Sequence, residues 1–221
     1  MTAKVTSKPA KTPRRQQQRS LFTQRKLLDA ALQAFAENGF QGTSTRDIAE
    51  RAGVHHPLIT YHFKNKEQLW RAAADRVFAR FIRLLLTVQE ETADAQPRER
   101  MAAMIRAYVH YAAENPALHK VLFQESSHAN PRLEWLVDKY MKPLFAVASA
   151  DLQQLQNSGI APAGDPALLF NMIRVSAGAL LALSTELKGS SGLDLDDPKK
   201  VDMLAEMIIN IYLPGKGQNA D

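Results

Sequence analysis

The 221-residue chain contains no cysteine. That excludes disulfides and thiolate metal sites and fits a reducing compartment. No uninterrupted apolar run reaches about 20 residues, so no segment is expected to span a membrane. The basic N-terminus lacks the apolar core of a signal peptide. A soluble, cytoplasmic protein is therefore expected. No stretch alternates apolar and polar residues as a strand would, so the expected fold class is all-α, with roughly nine helices. The length allows one large domain or two small ones.

Charge, by contrast, is present and divided. Residues 1–80 hold 15 Lys/Arg against 6 Asp/Glu, and residues 81–221 hold 13 against 17, so a net charge of +5 is the sum of +9 and −4. Such asymmetry points to a polyanionic partner for one end, or to a basic solubilising tail. Residues 1–20, rich in Lys, Arg, Gln, Pro and Thr, have too few large apolar side chains to order themselves. They read as a disordered basic tail whose cations can reach phosphates, and equally as an ordinary flexible one.

Helical periodicity starts at residue 21. Leu27, Leu28, Ala31, Leu32 and Phe35 share one face over residues 21–37, and Asn38-Gly39 supplies the stop. Ser44 with Asp47 three positions on forms a capping pair for a helix carrying Ile48, Ala49 and Ala52 inward. Gly53 ends it and permits a turn plugged by Val54. A second short helix is predicted over residues 56–63, and Asn65 caps a long one over 66–90. Further on, Asn115-Pro116, Asn130-Pro131, Asp165-Pro166 and Asp197-Pro198 each read as an N-cap followed by Pro at the first helical position. Helices are expected over 97–114, 131–158 (kinked or broken at Pro143), 166–187 and 198–213.

Two short helices joined by a tight turn, beside a basic segment, form a helix-turn-helix, which sets its second helix in the DNA major groove. Gly39, Ser44, Ile48, Ala49, Ala52, Gly53, Val54, Tyr61, Phe63, Lys66 and Leu69 follow the pattern T-x-x-I-A-x-x-A-G-V, Y-x-F and K-x-L. Residues 21–70 thereby resemble the DNA-binding domain of the TetR family of transcriptional regulators. Ser44 takes the place of the family's capping Thr. His55 stands where a capping Ser is usual, and Pro57 where Gly is common. The exposed set for double-stranded DNA is Thr43, Thr45, Arg46, His55, His56, Leu58, Thr60, Tyr61, His62 and Lys66. Imidazole and hydroxyl groups suit base edges or phosphates, Leu58 suits a thymine methyl, and Arg46 at a helix start suits a phosphate. The resemblance implies phosphate contacts for Tyr61 and Lys66 and places residues 55, 56 and 60 nearest the bases. For His55 and His56 a capping or solvent-exposed role stays open. The three histidines at 55, 56 and 62 lack the Cys or carboxylate that would complete a tetrahedral metal set, and neither metal nor cofactor is expected.

The rest is expected to divide into an effector-binding and dimerisation body over 67–213 and a flexible tail over 214–221, following a DNA-binding domain over 21–66. Helix 166–187 is apolar nearly all round, and helix 198–213 carries an apolar stripe. Phe170, Ile173, Ala177, Leu180, Leu181, Leu204, Ile208 and Ile211 form the expected homodimer interface, a four-helix bundle as in the proteins it resembles; an ordinary monomer core is the plainer alternative. Phe78, Phe81, Met104, Tyr108, Phe123, Trp135, Tyr140 and Phe170 are candidates for a cavity holding a small, hydrophobic effector, or for plain core. His110, His119, His128, Arg106 and Arg174 are available polar partners for such a ligand, with solvated surface groups as the plainer reading of each. An enzyme needs a nucleophile, a base and an oxyanion donor in one cleft. Neither Ser126-Ser127-His128 nor Asp194, Asp196 and Asp197 has that context. The resemblance implies a repressor released from a palindromic operator by an effector. A ligand-independent regulator or activator of the same fold is the alternative, and a helical interaction module leaves the helix-turn-helix unexplained.

Overall fold

The computed structural model describes residues 13–214. Among them run α1 (Pro13–Gly42), α2 (Thr45–Ala52), α3 (Pro57–Phe63), α4 (Lys66–Glu91), α5 (Pro97–Glu114), α6 (Ala117–Glu125), α7 (Pro131–Leu136), a π-helical turn (Val137–Met141), α8 (Lys142–Asn157), α9 (Pro166–Ala182), α10 (Ser184–Ser191) and α11 (Pro198–Tyr212). No strand occurs among the described residues. The chain forms two compact units that meet in sequence at Ala73 and Ala74.

In the first unit, Leu27, Ala31 and Phe35 of α1, Ile48 and Ala49 of α2, Ile59 and Phe63 of α3, and Leu69 and Trp70 of α4 are all buried. Local chemistry sets the joints. α1 breaks at Gly39, whose φ of 67° and ψ of 178° are open to a residue without Cβ. The α2 capping box forms as expected, with Asp47 N–H donating to Ser44 Oγ at 3.1 Å and Ser44 N–H to Asp47 Oδ2 at 3.3 Å. Gly53 closes the helix in the left-handed region, φ 62°. Asn65 caps α4 by accepting from Gln68 N–H at 2.8 Å. Helix already covers residues 13–20, part of the segment expected to lack structure, and residues 1–12 and 215–221 lie outside the described residues.

In the second unit, Asn130, Asp165 and Asp197 cap α7, α9 and α11 as expected. Asn115 does not cap α6. Its side chain turns back to donate to Tyr111 O at 2.9 Å, satisfying the end of α5 instead. The helix expected over 131–158 is interrupted just before Pro143: α7 ends at Leu136 and α8 starts at Lys142. A proline there leaves the Lys139 carbonyl without its donor and would clash with it. The π-helical turn widens the rod one step earlier, and α8 continues with Pro143 in its first turn. The helix expected over 166–187 divides at Leu183, and α9 and α10 meet at 72°. α10 buries no residue, so nothing holds it in line with α9.

α5 runs through the core, burying Met101, Ile105, Tyr108, Val109 and Ala112. The Arg100 guanidinium clasps both Asp151 oxygens at 2.7 and 2.6 Å, joining α5 to α8. Tyr111 donates to Val77 O at 2.7 Å, and Arg98 to Leu213 O at 3.0 Å. No single described helix is long and apolar enough to cross a membrane.

Candidate nucleic-acid interface and ligand cavity

α3 has only seven residues, and only Ile59 and Phe63 of them are buried. Its other side is therefore open. Tyr61 is 76% exposed and Thr60, His55 and His56 are exposed, whereas Leu58 and His62 are half-buried. His56 occupies the N-cap position but makes no cap hydrogen bond. Its Nε2 lies 2.9 Å from Thr45 Oγ1, so the ring ties α3 to the start of α2. Arg46 is exposed beside it in sequence. Lys66, in the first turn of α4, places its ammonium 4.4 Å from the centre of the Phe40 ring. Arg51 and Glu37 form a two-pronged pair at 2.9 and 2.6 Å that fixes α2 to α1.

Thr43 does not face outward with this set. It is 3% exposed, and its hydroxyl lies 2.7 Å from Gly39 O and 3.0 Å from Ala34 O, tying it to the end of α1 around the break. A hydroxyl beside that break could have indicated the inward role. Between α3 and α4 the chain reverses at Lys64, whose φ of 63° and ψ of −51° accompany a 2.7 Å bond from Asn65 N–H to Phe63 O. This γ-turn sets Lys66 only three residues beyond the end of α3.

The second unit holds an apolar cavity of about 70 Å3. Of the expected cavity residues, Phe78, Phe81, Met104, Tyr108 and Phe170 line it. Phe123, Trp135 and Tyr140 do not: Tyr140 stacks on Phe78 at 5.3 Å between ring centres and meets Trp135 edge-on, and Phe123 lies against His119. Sequence periodicity misses Leu85, Leu118, Met141 and Leu144 in the wall, which also holds His119 and Arg174, two of the polar groups available to a ligand. The aliphatic members carry no signal that separates lining from core.

His119, expected at the surface, is 2% exposed. The Tyr108 hydroxyl donates to Arg174 O at 2.6 Å and lies 3.2 Å from His119 Nε2. With the phenol proton committed, Nε2 carries the ring proton and donates, leaving Nδ1 as an acceptor with no partner. Burial, with help from the Arg174 charge, lowers the His119 pKa to about 4. Burial likewise pushes the Tyr108 phenol well above its ordinary value. Both groups are neutral near pH 7. The ring has room because α9 carries Gly178: a Cβ there would stand 2.6 Å from His119 Nδ1.

On α9 and α11 the expected interface residues divide. Ile173, Ala177, Leu181, Leu204 and Ile208 are buried within the chain's own core. Phe170 and Leu180 are half-buried, and Ile211 is 60% exposed. The solvent-facing apolar side chains are Leu168, Met172 and Val175 on α9, Leu183 just past its end, and Met203, Met207 and Ile211 on α11. Both faces of α9 are apolar, so periodicity finds the helix without its phase.

Ser126 and Ser127 donate to Leu122 O and Gln124 O, closing the end of α6. Among the described residues no group of three or more His, Asp or Glu side chains is placed to hold a metal ion.

Residues 27–73 match the family model described as bacterial regulatory proteins, tetR family. The HTH-type transcriptional regulator RutR of Escherichia coli (strain K12) is 26% identical over 189 residues, 86% of this chain and 88% of that protein. The HTH-type transcriptional repressor KstR2 of Mycobacterium tuberculosis (strain ATCC 25618 / H37Rv) is 27% identical over 155 residues, 67% of this chain and 74% of that one. The fold is shared with AibR, solved in complex with isovaleryl coenzyme A and operator DNA, at a TM-score of 0.70 and 19% identity over 87% of this chain and 98% of that one. These relatives are regulators rather than enzymes. Residues 27–73 thus carry the tetR-family match, the relatives that align over most of the chain are HTH-type transcriptional regulators, and the fold is shared with AibR.

Proposed function

We propose that the chain is a homodimeric repressor that binds a palindromic operator and is released by a small hydrophobic effector held in the second unit. The observation that carries this reading is one chain with both an open recognition helix and an apolar cavity. Tyr61 and Lys66 hold phosphates, and His55, His56 and Thr60 meet base edges, with Thr45, Arg46, Leu58 and His62 around them. A second copy covers the exposed apolar side chains on α9, just past its end and on α11, because seven large apolar side chains in water favour burial. Two heads in a symmetric dimer then read half-sites about 34–36 Å apart. Continuous α4 begins in the first unit and carries Phe78, Phe81 and Leu85 of the cavity wall. A ligand that enlarges the cavity acts on α4 and favours a dimer whose head spacing no longer fits DNA. KstR2 is named a repressor, and AibR was solved with an acyl thioester and operator DNA; both support this assignment.

The reading is tested by electrophoretic mobility shift with DNA upstream of the chain's own gene, titrated with apolar ligands. Retardation lost on ligand addition is the expected result. Retardation that no ligand alters contradicts the release step, and a body that stays monomeric at micromolar concentration contradicts the dimer.

A further inference from the structure

The apolar cavity of about 70 Å3 adjoins a more open cleft of about 300 Å3, the two sharing Leu122, Met141, Phe170 and Arg174 in their walls. No residue lining either space is acidic, while Arg174 and Lys142 are cationic. Lys142 has a carboxylate partner, Asp138, at 2.6 Å. Arg174 is half-buried, and its guanidinium bonds are to the neutral amide oxygen of Asn171 at 3.2 and 3.0 Å, with no carboxylate pairing it among the described residues. A guanidinium at the edge of an apolar wall, bonded to a neutral amide oxygen, offers its charge and its forked donors to an anion. The neighbouring polar groups cannot supply one: Tyr108 is a neutral phenol bonded to the Arg174 carbonyl, and His119 is a neutral imidazole.

We infer that the effector is an amphipathic anion, an aliphatic chain bearing a carboxylate, with its chain in the apolar cavity and its carboxylate on Arg174. This rests on the ligand-released reading above and narrows the ligand's chemistry. The carboxylate takes the fork of guanidinium donors facing the cleft, and Lys142 adds positive potential at the rim. The chain displaces Met104 and Met141, whose unbranched side chains repack at little cost.

The test uses the full chain with octanoate and its uncharged analogue 1-octanol, read by isothermal titration calorimetry and thermal shift. Octanoate is expected to bind about tenfold or more tightly than 1-octanol, as a charge-assisted hydrogen bond requires. Arg174→Gln is expected to bring octanoate down to the level of 1-octanol without moving 1-octanol, and Arg174→Lys to retain part of the preference. Equal binding of acid and alcohol by the unaltered protein, or no binding of octanoate, overturns the inference without recourse to any variant. Octanoate affinity unchanged in a folded Arg174→Gln protein also overturns it. A parallel mobility shift separates the two levels. Octanoate that binds through Arg174 without releasing DNA upholds the inference and contradicts the release mechanism. Release by 1-octanol with no octanoate binding upholds release and overturns the inference.

Discussion

Gly178 and His119 show how much of the body depends on single atoms. A methyl group at residue 178 meets the His119 ring at 2.6 and 2.7 Å, and that ring is buried on all sides. Gly178→Ala is therefore expected to destabilise the protein by about 1–3 kcal/mol, the usual range for overpacking, as read by urea unfolding. His119 also makes stability depend on pH. Its folded pKa of about 4 lies below the ordinary 6.5, because burial disfavours the charged ring. The unfolded chain thus binds the proton more readily. The stabilisation is complete above about pH 6.5 and is lost as pH falls towards 4, by about 3 kcal/mol in all. Unfolding measured at pH 8 and pH 5 should show this loss, and His119→Gln should reduce it. Neither property was legible in the sequence, where an isolated histidine between Leu118 and Lys120 carries no mark of burial.

At the scale of elements, the helix-turn-helix was the most legible part because its determinants are local. Ser44 and Asp47, Gly53, and Asn65 fix three joints through bonds spanning at most four residues. The recognition helix then presents Tyr61, and the γ-turn at Lys64 sets Lys66 close after it. Tyr61→Phe and Lys66→Ala are expected to weaken binding to all DNA sequences alike. Lys66→Ala should also flatten the dependence of log K on log salt by about 0.9 for a phosphate it no longer neutralises, whereas Tyr61→Phe removes no charge and should leave that slope unchanged. Fluorescence anisotropy at several salt concentrations checks this, and a loss confined to one base position contradicts the phosphate assignment. What the sequence concealed was long-range. Thr43 turns inward to bond the Gly39 and Ala34 carbonyls of α1, and Asn115 serves α5 rather than α6. Pro143 predicts a disturbance but not that a π-helical turn absorbs it. That turn also bonds to α4: Lys139 and Tyr140 both donate to Asp75. Burial raises the Asp75 pKa, but these bonds and the nearby Lys139 and Arg83 charges outweigh it and hold the carboxylate below its ordinary value.

For the molecule as a whole, the division into a DNA-reading head and a helical body follows from charge and motif, whereas the contents of the body do not. Five of the eight expected interface residues proved to be the protomer's own core, since α9 is apolar on both faces and only tertiary packing decides which one the chain keeps. The exposed apolar side chains give the sharper expectation. Ile211→Asp or Met207→Asp should place charge in the proposed subunit interface and yield a folded monomer in size-exclusion chromatography with light scattering, where the unaltered chain is expected to run as two copies. The account turns on the head reading DNA. Its most direct test is a mobility shift with DNA upstream of the chain's own gene at increasing salt, with the mass of the complex measured. The account predicts retardation that weakens steeply with salt and a complex of two chains on one fragment. No retardation at micromolar protein and low salt would contradict it.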